Sequence, residues 1–278
     1  MLSAGDSERV AGLMRETAAA ELLPRFRNLA EGDVREKRPG DLVTVADVAS
    51  EQRLAVGLAK LLPGVPVVGE EAVEQDAGLV DLIGRPGERC WIVDPLDGTA
   101  NFSKGLDVFA MIVCLVDDRQ TIGGWILDVP GDRMAVALKG QGATIDGRSI
   151  VGQSPKRPPN GIMGWGVRKL FDKQLSPDQR RRLGALTTLN CAGREYIELL
   201  SGTYDFNLYR RTKPWDHAAG ALMMAEAGGR AQRFNGEPYL PEGPLEGGII
   251  SGPSAEAVVA ARDVLKMVEL PLLSAKPG

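Results

Sequence analysis

The chain has 278 residues, 44% hydrophobic and 25% charged, with a formal net charge of -4 and a pI near 5.3. That balance excludes a disordered or membrane-embedded chain, and it lacks the basic surface that neutralising nucleic-acid phosphates requires. At this length a single core nears its limit, so two packed subdomains are expected.

In chain order, Asp6 or Ser7 is placed to cap an opening helix on which Val10, Leu13, Met14 and Thr17 recur at helical spacing until Pro24. A second helix is predicted over 48–62, stopped by Pro63 and Gly64. Val65 to Val68 reads as a short strand leading into Gly69, Glu70 and Glu71. A polar excursion over 76–89 precedes the apolar run Cys90 to Val93, and Asp94 follows directly. The runs 109–116, 121–127 and 133–138, joined through Asp117-Asp118 and Pro130-Gly131, predict an antiparallel meander. Pro155, Lys156, Arg157 and Pro158 suggest a boundary, placed near residue 150, between segments 1–150 and 151–278. Beyond it, apolar runs at 161–167 and 204–209 alternate with helices near 177–186, 194–201, 217–227 and 255–268.

No basic segment followed by an apolar stretch opens the chain, and no run of about 18 apolar residues occurs, so a cytoplasmic protein is expected. Cys90, Cys114 and Cys191 lack the paired short spacing of a zinc site and read as reduced, buried thiols. His217 is the single histidine, whereas Asp and Glu number 37, so any bound metal is expected to be a hard, oxygen-seeking one.

The strongest chemical signal is Trp91 to Phe102, WIVDPLDGTANF. Two aspartates flank a proline immediately after an apolar strand, and Pro95 holds Asp94 extended so that both carboxylates can turn toward one point. An isolated Asp97-Gly98 pair is ordinarily a turn and Asp97 an N-cap, but neither explains Asp94, whose carboxylate is costly to bury without a partner. Gly98 and Thr99 permit a tight turn into a helix whose free N–H groups suit an anion.

These residues resemble the inositol monophosphatase family of Mg²⁺-dependent, lithium-sensitive phosphatases. Four blocks carry the resemblance in order: DLVTVAD at 41–47, VGEEA at 68–72, WIVDPLDGTANF at 91–102 and PWDHAAGALMMAEAGG at 214–229. The resemblance implies an α/β (α+β) layered sandwich with an antiparallel N-terminal sheet and a smaller mixed C-terminal sheet, often homodimeric. It implies that Glu70, Asp94 and the Leu96 carbonyl ligate one Mg²⁺, that Asp94, Asp97 and Asp216 ligate a second, and that Glu70 helps hold a third through water. Thr99, backed by Asp47, is then a catalytic partner of Glu70, and Gly98, Thr99 and Ala100 receive the phosphate. Taken singly, Asp47 and Asp216 are ordinary helix caps and Glu70-Glu71 a solvated acidic pair; their joint occurrence favours the site. His217 reads as a structural residue of a first helical turn near the site rim, and Trp215, Met223 and Met224 as core.

The expected activity is hydrolysis of a small phosphate monoester by water, with neither membrane nor nucleic acid as partner. Where the resemblance implies a substrate-binding glutamate this chain has Tyr209, and the neighbouring small-residue loop is Asn190, Cys191 and Ala192. Arg210, Arg211 and Lys213 are either a solvated loop or a receptor for a second anion. Inositol phosphate or another polyol phosphate, histidinol phosphate, a 3′-phosphorylated nucleotide and a non-catalytic binding role are the alternatives the sequence leaves.

Overall fold

The first helix, α1 (Ala4–Thr17), is capped by Ser3, whose side chain accepts from the Asp6 N–H while the Ser3 N–H donates back to Asp6. Asp6 therefore closes the capping box without being the cap, and Ser7 lies inside the helix, accepting from Trp125 Nε1 at 3.0 Å. The computed structural model describes residues 2–268; the part of segment 151–278 beyond residue 268 lies outside them. A π-helical turn (Ala18–Leu22) extends α1. A hairpin, β1 (Val34–Arg38) with β2 (Asp41–Thr44), follows in a charged stretch that carries no apolar alternation. Helix α2 (Val45–Leu61) begins before residue 48 because Thr44 caps it and Asp47 completes the box.

Next come β3 (Val67–Gly69), α3 (Glu70–Gln75), a 3-10 turn (Ala77–Leu82), β4 (Arg89–Asp97) and α4 (Thr99–Ser103). The meander is β5 (Ala110–Asp117), β6 (Gln120–Asp128), β7 (Arg133–Leu138), β8 (Ala143–Ile145) and β9 (Arg148–Ile150). These form a seven-stranded sheet in the order β3-β4-β5-β6-β7-β8-β9, antiparallel from β4 onward with β3 as a parallel edge. After the crossing at 151–160 come β10 (Gly161–Met163), α5 (Trp165–Gln174), α6 (Pro177–Arg181), β11 (Leu186–Thr187), α7 (Ala192–Leu200) and β12 (Phe206–Tyr209). The chain then runs through α8 (Pro214–Glu226), β13 (Arg230–Gln232), β14 (Ile249–Gly252) and α9 (Ala255–Leu265). The second sheet is mixed, in the order β11-β10-β12-β14-β13. The apolar run at 161–167 is thus a strand that turns into α5, and the helix expected near 177–186 is one short turn, α6.

The large sheet is covered on both faces, which is why Met111 to Val116 reads as a continuous apolar run. Side chains alternate with period two: Met111, Val113 and Leu115 meet α1 and α2, while Ile112, Cys114 and Val116 join the cluster with α7 and α8. On the small sheet, Phe206 and Leu208 pack with Val167 and Phe171 of α5 and Val258 and Val264 of α9. The layers therefore run helix, sheet, helix, sheet, helix, and the fold is the layered α/β sandwich expected. All three cysteines are free and buried. Among the described residues no helix is long and apolar enough to cross a membrane.

The central helices α7 and α8 touch where Gly220 faces Tyr196, a fully buried ring. A Cβ at Gly220 would fall 2.3–2.4 Å from three atoms of that ring. Gly220→Ala, which in an open helix gains about 1 kcal/mol, is therefore expected to lose about 1–3 kcal/mol by overpacking. Urea unfolding measures this, and equal or higher stability would show that the ring yields.

Candidate active site

Strand β4 delivers two acids to one place by breaking its own register. Asp94 pairs with Ile112 and Asp97 with Ala110, so three steps on β4 oppose two on β5. The extra residue turns the Asp94-Pro95-Leu96-Asp97 segment, and the Leu96 N–H donates to Asp94 Oδ1 at 3.1 Å. Gly98 then takes φ 90°, with Val108 O only 2.9 Å from where a Cβ would sit, so both conformation and space require glycine. Glu70 arrives from another direction as the first residue of α3, and Asp216 from a third in the first turn of α8. Asp216 lies inside α8, following Pro214 and Trp215, and does not cap it.

Glu70, Asp94, Leu96, Asp97, Gly98, Thr99, Ala100, Asn190 and Asp216 line one cavity of about 180 Å³, with Lys213 and hairpin residue Asp41 on its wall. Among the described residues, no three acidic, thiol or imidazole side chains converge closely enough to hold an ion as they stand. The reason is visible in their partners. Lys213 Nζ lies 2.8 Å from Glu70 Oε1, with Lys37 Nζ at 3.5 Å from the same oxygen, and Asp97 Oδ2 accepts from the Gly193 N–H at 2.6 Å. The set nevertheless offers only oxygen donors, four carboxyl groups and a main-chain carbonyl, which is the donor chemistry of a hard divalent cation.

Electrostatics show how crowded the acids are. Burial, then repulsion from Glu70, Asp97 and Asp216, pushes Asp94 well above the usual carboxylate range. Burial raises Asp97 against the pull of the Gly193 N–H, and raises Asp216 to about 8 against the nearby Lys213. Glu70 is the exception: burial opposes its charge, but Lys213 and Lys37 outweigh it and hold the carboxyl below its ordinary value. Asp47 sits buried behind Thr99, whose Oγ1 lies 2.9 Å from both Asp47 Oδ1 and the Leu96 carbonyl oxygen. With one proton, the hydroxyl serves one of them at a time.

Tyr209, Arg210 and Arg211 line a second cavity of about 470 Å³, which shares Lys213 and Asp216 with the first. Cys191 and Ala192 are buried and line neither; Cys191 Sγ lies 3.2 Å from Asp97 Oδ2 and backs that carboxylate. His217 is fully buried rather than at the rim, between Tyr196 OH at 3.1 Å and the Arg211 carbonyl at 3.2 Å, and burial lowers it to about 3. Trp215, Met223 and Met224 are core.

Four supporting residues carry no signal in the linear pattern. Glu51, one turn after Asp47 on α2, accepts from the Glu71 and Ala72 N–H groups at 2.8 Å each, and so anchors the start of α3 beside Glu70. Gly193 and Lys37 hold Asp97 and Glu71, respectively. Glu195 is fully buried, accepting from the Leu189 N–H at 2.8 Å and from the Tyr209 hydroxyl.

Burial raises Glu195 from 4.5 to about 7, with Tyr209 and the Leu189 and Asn190 N–H groups opposing the rise and Asp97 adding to it. A carboxyl raised on folding stabilises below its unfolded value and loses that contribution as pH climbs through the folded one, a swing of roughly 3 kcal/mol. Stability of the unaltered chain is expected to fall more steeply than that of Glu195→Gln between about pH 4.5 and about pH 7. Parallel curves would remove the buried acid from the account.

Comparison with known proteins identifies the family to which the chain belongs. The profile of the inositol monophosphatase family matches residues 8–268. The Nus factor SuhB of Pseudomonas aeruginosa is 30% identical over 247 residues, covering 84% of this chain and 87% of that protein. An inositol-1-monophosphatase of Mycobacterium bovis is 33% identical over 218 residues, covering 72% and 71%. An IMPase of Thermotoga maritima superposes with a TM-score of 0.74 at 24% identity, covering 92% of this chain and 96% of that one. With the matched region spanning both sheets and every acid of the cavity, the chain belongs to the inositol monophosphatase family.

Proposed function

We propose that this family member is a Mg²⁺-dependent phosphomonoesterase that hydrolyses a small phosphate ester by direct attack of water. The observation that carries the reading is the gathering of Glu70, Asp94, Asp97, Asp216 and the Leu96 carbonyl around one small cavity beside the Gly98 turn. Glu70, Asp94 and Leu96 would hold one Mg²⁺, Asp94, Asp97 and Asp216 a second, and Glu70 would assist a third through water. When bound, the ions neutralise charge on the phosphoryl and leaving oxygens and acidify the attacking water.

The chain's own groups do the positioning. When Thr99 donates its proton to Asp47, its oxygen faces the cavity as an acceptor and orients the attacking water. Glu70, kept ionised by Lys213 and Lys37, is the group suited to take that water's proton. The amides of Gly98, Thr99 and Ala100 receive phosphoryl oxygens, as a tight turn into a helix start does. Loop 190–192 and Tyr209 to Arg211 bound the alcohol side, where an inositol or other polyol, histidinol or a nucleoside is released. Similarity to a Nus factor raises a non-catalytic role, but an intact acid set favours turnover. A cytoplasmic homodimer accompanies this reading.

Phosphate release from a panel of these esters, with Mg²⁺ and with a chelator, is the test; release indifferent to chelation would refute the metal. Asp94→Asn is expected to keep the fold, since a neutral amide is less costly to bury than an unpaired charge. Its kcat should fall by about a thousandfold or more, and near-normal turnover in a folded variant would end the proposal. Li⁺ at roughly millimolar concentration, a small hard cation suited to the same oxygens, is expected to inhibit uncompetitively with respect to the ester.

A further inference from the structure

Glu70 is held differently from the other acids of the cage. Asp94 and Asp97 each accept a backbone N–H on one oxygen, which can stay in place while the other oxygen takes a cation. Glu70 is held by groups that are cations themselves. Lys213 Nζ lies 2.8 Å from Glu70 Oε1, and Lys37 Nζ lies 3.5 Å from the same oxygen.

The two lysines are not equivalent. Lys37 is closer to Glu71, 2.9 Å from its Oε1, and its side chain is 8% exposed, so it has an acid to keep whatever Glu70 does. Lys213 has Glu70 as its single ion-pair partner within 4 Å among the described residues. Its side chain is 25% exposed and lines both cavities, the acid cage and the larger one that carries Arg210 and Arg211. Its backbone, by contrast, is pinned on both sides. The Thr212 N–H donates to the Leu245 carbonyl at 2.8 Å, and Thr212 Oγ1 donates to the Pro244 carbonyl at 3.0 Å while accepting from Arg233 Nη1 at 2.6 Å. Pro214, with its restricted backbone, opens α8 directly after Lys213. The ammonium therefore changes partner by turning its flexible stem, and the wall shared by the two cavities is the path open to it.

Building on the Mg²⁺-dependent reading of the cage, we infer that Lys213 is an exchangeable counter-ion: its ammonium neutralises Glu70 in the metal-free chain, is displaced when Mg²⁺ takes that carboxylate, and turns toward the larger cavity. Two cations on one carboxylate repel each other, so one leaves. Lys37, tied to Glu71, stays beside Glu70 and still favours its ionised form. Lys213 thereby sets the Mg²⁺ concentration at which the cage fills. A cation that must displace a built-in one binds with its intrinsic affinity reduced by the fraction of molecules in which the site is free.

The test is calorimetric titration of the full, chelator-stripped chain with Mg²⁺ in the absence of any ester. Lys213→Met is expected to bind Mg²⁺ about tenfold tighter than the unaltered chain, which corresponds to Glu70 being free in about one molecule in ten. Lys213→Arg, which keeps a cation on a long stem, should bring back most of the weakening. Arg211→Gln removes a nearby charge that does not pair with Glu70 and is exposed to screening, so it should tighten Mg²⁺ by less than about twofold. A second measurement needs no variant: acetic anhydride labelling, read by mass spectrometry, should modify Lys213 several-fold faster with Mg²⁺ than with chelator, while exposed Lys60 stays unchanged. Equal or weaker Mg²⁺ binding by a folded Lys213→Met, an equal gain in Arg211→Gln, or Lys213 labelling indifferent to Mg²⁺ in a chain that binds it would overturn the exchange and leave the metal reading standing. Absence of Mg²⁺ binding in both the unaltered chain and Lys213→Met would remove the metal reading, and the exchange with it.

Discussion

Mutual repulsion among buried carboxylates is the constraint on which the rest of this structure depends. Glu70, Asp94, Asp97 and Asp216 are brought to one cavity from three directions, and each must be kept from swinging toward water. The fold answers with a dedicated hold for each acid: the Leu96 N–H on Asp94, the Gly193 N–H on Asp97, Lys213 and Lys37 on Glu70. Asp216 is held by its place in the first turn of α8, whose buried face packs against β5 and β6. The layered architecture is what makes this possible, because α8 lies between the two sheets and packs against β4, β5 and β6, so its first turn meets the end of β4.

The supporting contacts also tie the elements that carry the site to one another. Glu51 ties α2 to α3 through two backbone N–H groups, and Gly69 has no side chain because a Cβ there would lie 2.2 Å from the Glu51 carboxylate carbon. Asp47 completes the capping box of α2 while its second oxygen takes the Thr99 hydroxyl. One helix therefore positions both Glu70 and Thr99, with no cost beyond residues that α2 already uses to start and pack.

The cage was legible in the sequence because its chemistry demands particular residue types at short spacing within one segment. WIVDPLDGTANF places strand, turn and two acids in a dozen consecutive residues, and the meander that follows announces itself by apolar runs and short turns of two to four residues. The hairpin of β1 and β2 was not legible, since VREKR is an exposed charged strand without an apolar face. Helix α5 was hidden for the opposite reason: GIMGWGV reads as one apolar run, and only the structure shows the strand ending at Met163 and the helix starting at Trp165. The holds on the acids were invisible because they join residues such as Glu51 and Glu71, or Asp97 and Gly193, across long stretches of chain through backbone N–H groups that every residue possesses.

The alcohol side illustrates a deeper limit. Its wall comes from three separated places, Gly164 to Val167, Tyr209 to Asp216, and Glu246, and none of those residue types is unusual where it stands. Reading Tyr209 alone shows that a carboxylate is missing from its position, not that its hydroxyl reaches the buried Glu195 and closes off that acid as well. An Arg-Arg pair before Thr212 is, by sequence, as well explained by a solvated loop as by a receptor for an anion. Only when the cavity is assembled do the two guanidinium groups and the Trp165 indole share a wall with the acid cage. The chemistry of phosphate release can therefore be read along the chain, whereas the identity of the alcohol is a property of surfaces that meet only in the folded protein.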